Sequence, residues 1–135
     1  MDWKLEVVIL PVADVDRAKR FYTEQVGFSL DVDFQPNEHF RVVQMTPPGS
    51  ACSVTVGIGL SDVPPGYARG MHLVVSDIAQ ACEELSSRGV DVSPIHHFVN
   101  GEQRTGPDPE RQEYNSFSSF ADPDGNTWIL QERRN

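Results

Sequence analysis

The chain has 135 residues and a net charge of −9, from 20 acidic and 11 basic side chains. A domain of that length hides roughly two thirds of its unfolded surface, so it needs no disulfide or structural metal to fold. The charge excludes nucleic acid and anionic membranes as partners, because both require a basic face. The apolar stretch around Leu5–Val12 falls far short of the roughly 20 residues that span a bilayer, and the opening Met-Asp-Trp-Lys-Leu-Glu lacks the basic and apolar regions of a signal peptide. A cytoplasmic protein is expected. Cys52 and Cys82 form no CxxC pair and read as small buried hydrophobes.

In chain order, an apolar run ends in Val12-Ala-Asp14, and Asp14 can cap a following helix, because a carboxylate accepts the orphan N–H groups of a first turn. Val15, Ala18, Phe21 and Tyr22 then recur at helical spacing up to Gly27, where glycine adopts a left-handed stop cheaply. That predicts a helix over 14–26, with Phe21 and Tyr22 in the core. Strands follow at Phe28–Phe34, Phe40–Met45 and Cys52–Ile58, rich in β-branched and aromatic residues. His39, in the turn-like stretch after Pro36, reads as solvated.

The pattern then returns. Val75-Ser-Asp77 precedes Ile78, Ala81, Cys82 and Leu85 at helical spacing, with a stop at Gly89, which predicts a helix over 77–88. Strands follow at Val90–Phe98, Phe117–Ala121 and Thr127–Gln131. The last two strands of each half are joined by similar turns, Pro47-Pro48-Gly49 and Pro123-Asp124-Gly125. The chain is therefore read as a single domain over 1–135, made of two βαβββ modules near 1–60 and 70–133, with a Pro/Gly-rich linker over 61–69. The class is α+β. One helix per module covers one sheet face, leaving the other to curl around something. Trp3 and Trp128 have the parity to pack under the helices. The stretch 100–113 reads as one long irregular loop, of a length that often serves as a lid.

The motif Val12-x-Asp14-Val15-Asp16-Arg17-Ala18-x-x-Phe21-Tyr22-x-x-x-x-Gly27-Phe28, with Asp122-Pro-Asp-Gly-Asn126 near the end, resembles the vicinal oxygen chelate superfamily. That group includes glyoxalase I, the bleomycin-resistance proteins, the fosfomycin-resistance enzymes and extradiol dioxygenases. The resemblance covers nearly the whole chain. It implies the glyoxalase/bleomycin-resistance fold, two βαβββ modules forming a cupped mixed sheet around a small ligand, and pairing of modules within or between chains, hence a homodimer.

In catalytic members of such a group, His and Glu side chains hold one divalent metal. The corresponding positions here fall on Val7, Gly70, Ile129 and, by the less direct match of the two turns, Ser53. A Val, a Gly and an Ile offer no lone pair, and a neutral Ser hydroxyl is a poor ligand alone. No metal and no cofactor are therefore expected. Relocation would call on His72, two residues past Gly70, with His96 or His97.

Residues sharing a face with the former ligand positions alternate by two. They are Leu5 and Ile9 beside Val7, Val74 beside His72, and Thr127 and Gln131 beside Ile129. The candidate ligand-binding residues are His72, His97, Thr55, Tyr114, Gln131, and Arg41 or Gln44 according to strand register. The expected function is binding of a small, largely apolar organic ligand with the family metal site lost. The alternative is a metal-free or relocated-metal enzyme of lyase, isomerase or dioxygenase type, using His72 or His97.

Overall fold

A computed structural model of the chain describes residues 1–134. Its elements are β1 (Val7–Ile9), α1 (Val15–Arg20), a π-helical turn (Phe21–Val26), β2 (Ser29–Asn37), β3 (Phe40–Thr46) and β4 (Ser53–Ile58). They continue with β5 (Met71–Val75), α2 (Ile78–Ser87), β6 (His96–Val99), β7 (Glu102–Thr105), β8 (Ser116–Ala121) and β9 (Thr127–Glu132). The elements fall into two compact units, residues 1–68 with 122–126, and residues 69–121 with 127 onward. No helix among the described residues is long and apolar enough to cross a membrane.

In the first unit the sheet order is β1-β4-β3-β2, with β1 parallel to β4 and the other pairs antiparallel. The Asp14 carboxylate accepts the Arg17 N–H at 3.1 Å, as a cap should. The predicted helix covers the predicted span, but its second half is wound more widely. The N–H groups of Gly27 and Phe28 both donate to the Tyr22 carbonyl, at 3.0 and 2.8 Å, and Gly27 closes the turn at φ +97°. Phe21, Tyr22 and Val26 are all buried by this winding. The Tyr22 ring stacks on Phe28 with centroids 5.5 Å apart. Its phenol donates to Asp122 at 2.7 Å, and Asp122 also accepts the Asn126 side-chain amide at 2.8 Å. That amide donates in turn to the Pro11 carbonyl at 2.9 Å. Within this unit Tyr22, Asp122 and Asn126 thus form a satisfied buried polar cluster, whereas the Asp124 Oδ2 in the same turn is buried with no partner among the described residues.

In the second unit the order is β5-β9-β8-β6-β7, again with the first strand parallel to the last. Asp77 caps α2 through the Gln80 N–H at 3.1 Å. Ile78, Cys82 and Leu85 are buried on the helix, which packs on β8 and β9. Phe120, Trp128 and Leu130 complete this core, with the Phe120 and Trp128 rings stacked at 6.1 Å. Glu132 is fully buried beside them. It accepts the Ile78 N–H at 3.0 Å and two bonds from the Arg111 guanidinium, at 2.9 and 2.6 Å.

Three expectations need correction. The stretch 100–113 is not one irregular loop, because Glu102–Thr105 forms β7, a hairpin with β6. Its turn is Asn100-Gly101, at φ +50° and +81°, the pair of left-handed angles a tight two-residue hairpin requires. The strand expected at Val90–Phe98 begins only at His96. Pro94 has no N–H to give, and the Ser93 hydroxyl instead accepts the Ser119 N–H at 2.9 Å. Trp3 is 88% exposed and not under a helix, because β1 starts at Val7 and Trp3 has the parity of Val7, away from the helix side; Leu5, expected beside Val7, precedes the strand and is 74% exposed. Trp128 is buried as expected, and His39 is solvated.

The Arg111 guanidinium, aided by the Ile78 N–H, holds the Glu132 carboxyl below its ordinary value of 4.5 despite burial. Its stabilising effect is complete above 4.5 and is lost as pH falls through the lowered native value, since the unfolded chain binds the proton first. Thermal unfolding across that range is expected to show the loss in the native sequence and a flatter profile in Glu132→Gln. At neutral pH the same substitution is expected to cost about 2 kcal/mol in denaturant unfolding.

Candidate functional site

Each helix covers one face of its sheet, and strand alternation decides which side chains are left on the other. In the first unit that second face carries a row in strict register, Ile9 (β1), Thr55 (β4), Gln44 (β3) and Val32 (β2). A neighbouring row holds Val7 opposite Ser53. Val7, Ile9, Val32 and Phe34 are 42–55% exposed. Thr55 and Gln44, both singled out from the sequence, are therefore adjacent.

Arg41 is not with them. It has the parity of Val43 and Met45 and turns to the helix side, where its guanidinium meets Asp33 at 2.9 Å and Asp16 at 2.8 Å. Lys19 joins the same Asp33 at 2.8 Å. The bonds from Arg41 and Lys19 hold the Asp33 carboxyl well below the usual carboxylate range. With its donors engaged on the α1 side, Arg41 leaves the candidate site.

In the second unit the corresponding face carries the row Val74 (β5), Gln131 (β9), Phe117 (β8) and His96 (β6). Beside it run His72, Ile129 and Ser119. His72 is exposed, and one of its ring nitrogens, Nδ1, bonds the Gly70 carbonyl at 2.8 Å. His96, Phe98 and Phe117 form an aromatic cluster. His96 stacks on Phe117 at 5.7 Å, and Phe98 stands edge-on to both at 5.6 Å.

His97, the histidine favoured from sequence, points the other way. It is 6% exposed, lies opposite Ser116 on the helix side, and its Nδ1 donates to the Gly106 carbonyl at 2.7 Å. Because β6 starts late, at His96, parity could not be counted from Val90. Its neighbour His96 takes the face, and no described side chain or carbonyl bonds its ring nitrogens. Phe98, Phe117 and Asn115 were also missed. Asn115 accepts the Phe98 N–H at 3.2 Å and donates to the Phe98 carbonyl at 3.0 Å, fixing the cluster where β6 outruns β8.

The segment between β7 and β8 is bound down by its own side chains. The Asp108 carboxylate accepts from the Asn115 amide and from the Glu110 and Gln112 N–H groups at 3.0–3.1 Å, and these bonds lower its pKa, the Asn115 bond most. Arg111, at φ +51°, reaches back to Glu132. Tyr114 stands at φ +63°, a conformation costly for a bulky residue. Its N–H donates to the Glu132 carbonyl at 2.8 Å, and its carbonyl accepts the Gln131 amide at 3.0 Å. The residue is 46% exposed, and its ring lies under the Arg133 guanidinium at 5.7 Å.

A sequence profile described as the Glyoxalase/Bleomycin resistance protein/Dioxygenase superfamily matches residues 4–130. The chain belongs to that superfamily. Among solved structures, it is similar to TnmS3, described as an antibiotic binding protein from Streptomyces sp. CB03234, at 33% identity and TM-score 0.75 over 97% of this chain and 96% of that one. A glyoxalase/bleomycin resistance protein from the same organism is 34% identical, with TM-score 0.72 over 95% and 99%. An uncharacterized protein of Bacillus subtilis (strain 168), YetH, is 25% identical over 96% of this chain and 98% of its own length.

The superfamily's metal does not fit the residues present. The side chains of Val7 and Ile129 carry no metal-ligating atom and Gly70 has no side chain. The Ser53 hydroxyl is 2.6 Å from that of Thr46, which also bonds Asp31. Register further pairs Ile9 with Thr55 and His72 with Ile129, each three residues before its Val-x-Asp motif, so Thr55 and not Ser53 is the counterpart of Ile129. Among the described residues, no three His, Cys, Asp or Glu side chains converge.

The two adjacent histidines are expected to separate cleanly on substitution. His97→Ala should cost about 2 kcal/mol by stranding the Gly106 carbonyl and opening a buried gap, whereas His96→Ala should cost less than about 1 kcal/mol. Paired denaturant titrations measure both.

Proposed function

We propose that this chain binds a small, largely apolar organic molecule on the sheet faces opposite its helices, and that the superfamily's metal site has been lost from it. The observation that carries the reading is the make-up of those faces. Exposed Val, Ile and Phe side chains surround a few polar groups, half-buried Gln44 and buried Thr55 in one unit, exposed His72 and half-buried Gln131 in the other. Binding sites for organic ligands have this composition, apolar walls with a few placed hydrogen-bonding groups. The likeness to an antibiotic binding protein at 33% identity agrees with it.

An enzyme built on His97 has no support, since that ring is buried on the helix side. His72 remains on the open face, but among the described residues its ring bonds only the Gly70 carbonyl, with no carboxylate to orient it. We place the protein in the cytoplasm, in keeping with two cysteines that are both unpaired. A homodimer accords with edge strands such as β2 and β7, whose unpaired backbone groups invite a second copy.

Native mass spectrometry of freshly purified protein tests the reading in one measurement. The expected result is a dimer that takes up apolar organic compounds from a screening panel and retains less than one equivalent of Ni, Zn, Mn or Fe(II) after desalting. Stoichiometric metal that disappears in His72→Ala would overturn the loss of the metal site. A panel from which no compound binds would overturn the binding function.

A further inference from the structure

The second unit's face is specific enough to name a class of ligand, an inference that rests on the binding function proposed above. Val74, Gln131, Phe117 and His96 lie in one row across four strands. Three interstrand steps of about 4.8 Å give the row a length of roughly 14 Å. Its β6 end is aromatic. The His96 and Phe117 rings are nearly parallel, 22° apart, and Phe98 closes the cluster edge-on at 74° and 84°. Aromatic rings in offset-stacked and edge-on contact present both faces and edges to a further ring.

The polar groups of the row are free to meet such a ring at its rim. One N–H of the Gln131 amide is committed to the Tyr114 carbonyl, and among the described residues its carbonyl oxygen has no partner. The nitrogens of His96 likewise have no partner among the described residues, although the residue is half-buried. A hydrocarbon ligand would leave these groups desolvated and unpaired, and a puckered ring that paired them could not stack. A planar ring with in-plane hydrogen-bonding groups satisfies them while it stacks.

Independent support comes from Tyr114. Its left-handed backbone is held on both sides by this same strand, through the Glu132 carbonyl and the Gln131 side chain, and the residue stays 46% exposed. Strain held in place by surrounding bonds is characteristic of ligand clamps. Gln131 therefore connects the presented Tyr114 to Phe117, its register partner.

We propose that the second unit's open face takes a planar aromatic ring system bearing an in-plane hydrogen-bond donor, stacked on the His96–Phe98–Phe117 cluster and oriented by Gln131. The Gln131 oxygen receives the donor, and the aromatic cluster supplies the selectivity for flat over puckered rings.

Isothermal titration with quinolin-2(1H)-one, a planar lactam with an in-plane N–H, and with its fully saturated counterpart tests this on the full chain. The planar compound is expected to bind at least tenfold more tightly than the saturated one. Phe117→Leu and His96→Leu are each expected to weaken it three- to tenfold, in proportion to one lost ring contact. Gln131→Leu should weaken quinolinone but leave N-methylquinolinone unchanged, a difference that loss of packing would not produce. Circular dichroism and Tm confirm that each variant is folded, and His97→Ala serves as the control off this face.

Equal binding of planar and saturated compounds, or binding that ignores Phe117 and His96, would overturn the aromatic assignment and leave the general binding function standing. Failure of the planar lactam to bind at millimolar concentration would overturn it as well, and the panel used for the general reading then decides that reading separately. Sedimentation in which Phe117→Leu turns a dimer into a monomer would assign the face to a second copy of the chain and overturn the proposal.

Discussion

One helix must cover a sheet of four or five strands, and it can cover only one side. Each strand therefore divides its residues by parity. One set meets the helix and becomes core, as Val43, Met45, Phe120, Trp128 and Leu130 do. The other set is left without a protein partner from its own helix, and its composition is free to follow a ligand. The hydrophobic effect acts on both sets, at roughly 25 cal/mol per Å² of apolar surface removed from water, but only the first is satisfied by α1 or α2.

Polar groups on the covered side are consistent with that division, because Arg41 and Glu132 are paired with opposite charges and Asp122 is hydrogen-bonded where it stands. Arg41 is held between Asp33 and Asp16, Glu132 between Arg111 and the start of α2, and Asp122 between Tyr22 and Asn126. A buried charge with its partner removed is strongly unfavourable, so these groups fix local geometry more than they add net stability. Glu132 shows the economy of alternation. It pins the segment around Arg111 from the core side, while Gln131, one residue earlier, faces the opposite way and holds Tyr114.

Much of this was legible in the sequence because it rests on local chemistry. Asp14 and Asp77 cap helices, Gly27 and Gly89 end them, and the 63-residue offset between Val12 and Val75 announces two editions of one topology. What was lost depended on register. Counting by two fails across Pro94 and Ser93, which delay β6, and so His97 was favoured over His96. Arg41 and Gln44 could not be told apart until β3 was placed against β4. The β6–β7 hairpin did carry a readable signal, the dipeptide Asn100-Gly101, hidden by the polar and Pro-rich residues after it. Asn115 left none, since its role depends on meeting Phe98 across 17 residues.

The buried turn at 122–126 has a consequence for how the chain is made. Synthesis delivers residues 1–68 before residue 122, so Tyr22 then has no Asp122 to accept its phenolic hydrogen bond, and the Pro11 carbonyl has no Asn126. The first half cannot finish its core until nearly the entire polypeptide has left the ribosome. Between the synthesis of residue 68 and that of residue 126, less than half of the chain's length, the first unit lacks the turn that completes it, the kind of interval in which incomplete domains expose apolar surface. A gene fragment ending at the linker would lack that turn permanently.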